Sequence, residues 1–231
     1  MPSFQKSLLY NSLVALALIM VAAYEWTTGH SLTSWGIQPR TWQGLSGLLF
    51  APFLHGGFSH LLSNSVTLLL LGTSIYYFYP RATVQALPYL YFATSLGVWF
   101  FGRGTENGGI PVYHIGASGL LYAFAAFLFF SGLFRRDRQS LAVSMSVAIV
   151  YNGLIYSLFP NEPGVSWESH LSGFVVGLLC AYVFRGKDRR EFARIAEEES
   201  AEGEKGYQPL ENEHFRYHFR PSEKAPKDDD E

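Results

Sequence analysis

Charge is scarce over the first 184 residues. The acidic side chains there are Glu25, Glu106, Asp137, Glu162 and Glu168, and the basic ones are Lys6, Arg40, Arg81, Arg103, Arg135, Arg136 and Arg138. A soluble domain carries about 25% charged residues, so this stretch does not read as one. Cysteine is almost missing as well: Cys180 stands alone, which excludes an intrachain disulfide framework and reads as a small apolar helix residue. No basic stripe of the kind that binds nucleic acid is present, and no metal or cofactor is expected. Internal repeats are lacking too. The remaining charge is gathered after residue 184, so the mean hydropathy of +0.10 averages an apolar body with a polar tail.

What fills the body is apolar runs. Six of them, at about 7–24, 58–79, 84–102, 114–134, 141–159 and 169–184, are candidate membrane helices. A bilayer core of about 30 Å takes about 20 helical residues; the last run is short and would extend into its flanks or cross a thinner region. The first run follows Lys6 and ends Val21-Ala22-Ala23, a pattern shared with secretory leaders. A body with only five remaining spans would break the charge asymmetry, so a membrane span is expected there.

With the N-terminus cytoplasmic and six spans alternating, the inner side receives Lys6, Arg81, Arg135, Arg136, Arg138, Arg185, Lys187, Arg189 and Arg190, and the outer side only Arg40 and Arg103. That is the positive-inside pattern, and it places both termini in the cytoplasm. The segment 25–57 then becomes a long outer loop, rich in Trp26, Trp35, Trp42, Phe50 and Phe53, suited to lying among headgroups. Residues 185–231 begin basic, turn acidic at Glu197-Glu198-Glu199 and end Lys227-Asp228-Asp229-Asp230-Glu231. They are expected to form a cytoplasmic, mostly disordered tail. The fold class expected is an all-α polytopic membrane protein, with a six-span body over 1–184 and the tail beyond.

Polar side chains inside spans are costly and point to function. His60 and Asn64 lie in the second span, Ser118 within Gly116-Ala117-Ser118-Gly119 opens the fourth, and His170 opens the sixth. All three spans start on the outer side in this orientation, so the four residues share one shallow depth. His60 with Asn64, and Ser118 with Tyr122, are spaced i,i+4 and stack on one helix face. On the sixth span, His170, Gly173 and Gly177 follow one line, and the glycines let another helix approach closely. Gly116 and Gly119 offer the matching surface beside Ser118. A serine and imidazole so placed form an activated nucleophile and its base. Glu168 is i,i+2 from His170 and points elsewhere, so a dyad is expected, with Tyr122 packing on the imidazole in place of a carboxylate. Asn64, His60 and the Ser118 backbone N–H are the candidate oxyanion donors. A transporter would carry ionisable groups to the midplane or break a helix pair there, whereas those of the second and sixth runs stop in the outer third.

These motifs together resemble the rhomboid family of intramembrane serine proteases. The resemblance rests on His55-Gly-Gly-Phe-Ser-His60-Leu-Leu-Ser-Asn64, Gly116-Ala-Ser118-Gly119 and Ser169-His170-Leu-Ser-Gly173 with Gly177, and spans about residues 1–184. It implies a six-helix bundle with a water-accessible cavity opening outward, Ser118 and His170 as the dyad, and His60, Asn64 and Tyr122 in support. It also implies single-span membrane proteins as substrates, admitted past the fifth span and the 160–168 loop with Pro160, Pro163 and Gly164. The expected location is the bacterial inner membrane. Two departures stand out: the first loop has no Trp-Arg pair, and Ser169 stands where such proteins commonly have Ala.

Overall fold

The computed structural model describes residues 3–106, 108–160 and 164–188. Glu162, Pro163 and the tail from Arg189 onward, all parts of the sequence reading above, lie outside the described residues. Helix α1 (Phe4–Thr28) starts where the Ser3 hydroxyl accepts from the Lys6 N–H at 3.3 Å and stops at Gly29, whose φ of +70° ends the helix. It turns Ala15, Leu18 and Ala22 inward and leaves Leu9, Leu13, Leu16 and Met20 exposed. Residues 29–57 wind through short turns and the single-turn α2 (Gly47–Phe50). They are tied across the molecule by Arg40, whose guanidinium donates to the carbonyls of Phe100 (3.0 Å) and Gly102 (2.8 Å). The Trp99 indole adds a bond to the Thr41 carbonyl at 2.9 Å.

Helix α3 (Phe58–Phe78) packs against α1 and leads directly into α4 (Pro80–Pro88). Pro88 has no N–H to offer the preceding turn. The chain answers with a wider π turn over Tyr89–Ala93 before α5 (Thr94–Phe101) resumes the α-helical pattern. A small ladder pairs β1 (Thr105–Glu106) with β2 (Ile110–Pro111). Helix α6 (Ser118–Arg135) follows, then α7 (Arg138–Val150), a 3-10 stretch over Asn152–Leu158, and α8 (Trp167–Val183).

Helix α6 is the centre of the bundle. It touches α3, α7 and α8 and buries residues on every side, among them Leu121, Tyr122, Ala123, Phe124, Phe127 and Leu128. A helix apolar all round belongs in the interior. Its contact with α8 is a backbone-to-backbone seam: a Cβ on Gly173 would strike the Gly119 carbonyl, and one on Gly177 the Ala123 carbonyl. Only α1, α3 and α6, among the described residues, are helices long and apolar enough by themselves to cross a membrane. The fourth apolar run becomes helical at Ser118 rather than at 114, because the backbones of His114 and Gly116 pair with the first loop. The fifth run loses its α-helix at Val150 and tightens into the 3-10 stretch.

At the C-terminal end of α6 the polar groups face inward. Arg135 is 1% exposed; its guanidinium donates to the carbonyls of Phe184 (3.1 Å) and Lys187 and lies over the Tyr79 ring at 4.5 Å. Just beyond α8, the carboxylate of Asp188 accepts from the backbone N–H groups of Arg81 (3.1 Å) and Ala82 (3.0 Å), capping α4. Residues 185–188 thus pack on the body.

Candidate active site

The N-terminal end of α6 is positioned from below and from the side. His114 and Ile37 exchange backbone bonds of 2.8 and 3.0 Å, and the Gly116 N–H donates to the Ala51 carbonyl at 2.8 Å. Gly116 lies in this loop and not in the helix seam where the sequence pattern put it. Its φ is +104°, and a Cβ there would drive into the His60 ring, so glycine is required on both counts. Gly119 does sit in the seam, where a Cβ would meet the Ser169 carbonyl.

Ser118, the first residue of α6, brings its Oγ within 3.0 Å of His170 Nε2. The other ring nitrogen, Nδ1, is 2.9 Å from the Ser157 carbonyl oxygen. A carbonyl can only accept, so the network assigns the proton to Nδ1 and leaves the Nε2 lone pair to the Ser118 hydroxyl. The ring lies flat on Tyr122, with centroids 4.1 Å apart and planes 8° off parallel. The i,i+4 spacing of Ser118 and Tyr122 is what lets one side chain bond the imidazole while the other covers its face. Glu168 turns away, as its spacing implies. It pairs with Arg103, whose Nε is 3.3 Å from Oε1, and accepts from the Arg103 backbone N–H at 3.3 Å.

A cavity of about 940 Å3 is lined by Ser118, His170, Tyr122, His60, Asn64 and Ser157, together with Gly57, Arg103 and Glu106. Asn64 is buried, and its amide Nδ2 has no hydrogen-bond partner among the described residues. A buried donor without an acceptor is costly. His60 presses against Gly116 and stands edge-on to His55 at 5.1 Å. His55 ties back to the Phe53 carbonyl at 3.3 Å. Burial, helped by the nearby His60, lowers its pKa from 6.5 to about 4. Among the described residues no group of three or more His, Cys, Asp or Glu side chains could hold a metal ion.

Sequence reasoning passed over three participants. Ser157 reaches His170 through its backbone, which no side-chain pattern reveals. His114, at the first position of the fourth apolar run, was not singled out, and Ser166 fell between runs; both lie in loops before α6 and α8. His114 is 3% exposed, with Nε2 3.0 Å from the Arg103 carbonyl and Nδ1 2.5 Å from Ser166 Oγ. Ser166 Oγ is in turn 2.6 Å from Ser169 Oγ.

A profile of the rhomboid domain matches residues 38–187, a stretch that takes in His60, Asn64, Ser118, Tyr122 and His170. An uncharacterized protein of Mycobacterium tuberculosis, Rv1337, is 36% identical over 176 residues, which cover 75% of this chain and 73% of that protein. The uncharacterized ML1171 of Mycobacterium leprae is 32% identical over 185 residues, covering 75% and 69%. A profile that accounts for most of the apolar body, with the polar residues of three helices drawn to one cavity inside it, leaves one assignment: the chain belongs to the rhomboid family, whose members are in general intramembrane serine proteases.

Proposed function

We propose that this chain is an intramembrane serine endopeptidase with Ser118 as nucleophile and His170 as general base. The observation that carries the reading is the 3.0 Å approach of Ser118 Oγ to His170 Nε2 inside a cavity that also holds the unpartnered Asn64 amide. As Ser118 Oγ bonds to the scissile carbonyl carbon, its proton passes to Nε2 and the carbonyl electron pair moves onto oxygen. Asn64, His60 and the backbone N–H of Ser118 supply donors for that oxyanion; one such donor is worth about 3–4 kcal/mol of transition-state stabilisation. Collapse breaks the C–N bond, and His170 returns the proton to the departing amine. Water then attacks the acyl-serine along the same route, with His170 again the base. The Ser157 carbonyl is uncharged, so it fixes the tautomer while stabilising the imidazolium less than a triad carboxylate does. Tyr122 restrains the ring by stacking.

The same reading assigns six spans and cytoplasmic termini, from the charge asymmetry of the loops. Three of the spans would be built by α4–α5, by α7 with its 3-10 continuation and by α8. The cavity then lies just beneath the outer face of a bacterial inner membrane. Substrates are single-span membrane proteins cut near that face. A fluorophosphonate probe applied to the purified protein in lipid should label it, and Ser118→Ala should lose both labelling and cleavage of a transmembrane substrate. Cleavage that persists in that variant overturns the assignment. A related protein that only binds membrane clients would hold substrate without reacting with the probe.

A further inference from the structure

We propose that His114 is a positioning residue for His170, acting through Ser166 and Ser169 to hold the first turn of α8. The inference rests on the serine-protease reading above, since only there does the placement of His170 set a rate. His114 sits where three segments meet. Its backbone is paired with Ile37 of the first loop, its Nε2 faces the Arg103 carbonyl, and its Nδ1 faces Ser166, the residue that caps α8.

The direction of every proton in this chain of bonds follows from one fixed point. The Arg103 carbonyl can only accept, so Nε2 carries the hydrogen and Nδ1 must accept from the Ser166 hydroxyl. Ser166, having given its proton away, has its lone pairs left for Ser169, receiving the Ser169 hydroxyl at 2.6 Å and the Ser169 N–H at 3.4 Å. Ser169 immediately precedes His170. The cap that starts α8 is therefore oriented by an imidazole on another segment, and the residue it grips is next to the proposed base. This accounts for Ser169 in a position where the family commonly has Ala: here the hydroxyl completes the chain from His114. Burial holds the His114 pKa below its ordinary value, which keeps Nδ1 an acceptor. Of the charged groups facing it, Glu168 of α8 and Glu106 push the pKa up, while the Arg103 charge pushes it down.

The test compares His114→Gln, His114→Phe and Ser169→Ala in the full chain reconstituted in lipid, with kcat and KM measured on one transmembrane-segment substrate. Glutamine can donate to the Arg103 carbonyl and accept from Ser166; phenylalanine can do neither. His114→Phe should lower kcat at least tenfold with KM within twofold, His114→Gln should keep at least a third of kcat, and Ser169→Ala should fall between. Equal losses in the Gln and Phe variants, or an unchanged kcat in the Phe variant, overturn the proposal. If the unmodified chain neither cleaves nor reacts with a fluorophosphonate, the protease reading has failed. The bond chain is then judged by amide exchange at residues 167–170. Faster exchange in His114→Phe, restored in His114→Gln, supports it, and unchanged exchange sinks it.

Discussion

The two ends of α6 treat buried polar groups in opposite ways. At its C-terminal end, Arg135 is held by the carbonyls of Phe184 and Lys187 and covered by Tyr79, while Asp188 caps α4 next door. The terminal N–H groups of Arg135 and the carboxylate of Asp188 are there matched by other parts of the chain. At the N-terminal end, Ser118 and Asn64 border a cavity, and the Asn64 donor meets no acceptor among the described residues. One end ties the helices together through charged groups; the other borders a cavity.

Variants at the two ends should separate rate from stability. The largest effect is expected for Ser118→Ala, with cleavage down by more than about 10³-fold and a melting transition that barely moves, read by turnover and thermal unfolding of the same preparation. Arg135→Met should do the reverse. It strands the carbonyls of Phe184 and Lys187 and should lower stability by about 2–4 kcal/mol, while kcat well below the transition stays near that of the parent. Asn64→Ala should reduce kcat by about 10²-fold and leave stability equal or slightly higher, since it removes an unpaired buried donor. Equal turnover in the two proteins would remove Asn64 from the oxyanion role. Asp188→Asn, which weakens the α4 cap, should cost only about 1 kcal/mol, visible in the melting transition alone.

A further effect concerns acid. The folded-state pKa of His55 lies at about 4, below its ordinary 6.5, so the unfolded chain takes up the proton first. Above pH 6.5 His55 contributes no slope. Between 6.5 and 4 stability falls as pH falls, and below 4 the effect levels off. His55→Gln should flatten that part of a plot of melting temperature against pH.

The open end of α6 was largely legible in the sequence, because a polar residue in an apolar run is conspicuous. Ser118, His170, His60, Asn64 and Tyr122 stood out for that reason, and the helical period placed each on a face. The closed end was not legible. Arg135 counted as one more loop cation in the charge tally, since sequence does not reveal that carbonyls two helices later would enclose it. The end of the fifth run's α-helix at Val150 was hidden as well: its apolar residues continue through Leu158, and composition does not distinguish an α turn from a 3-10 turn. The placement of Gly116 failed for a related reason, because a glycine needed for a positive φ looks in sequence like one needed for close packing.

The glycine seam between α6 and α8 has a consequence in terms of disorder rather than contact. Most buried interfaces are closed by freezing side-chain rotamers, at a cost of up to about 2 kcal/mol for each long side chain. At Gly119, Gly173 and Gly177 there is no rotamer to freeze. The helix carrying Ser118 and the helix carrying His170 meet there with few soft coordinates between them. The separation of the proposed nucleophile and base is settled when the chain folds, and on that reading little entropy remains to be lost at the moment of reaction.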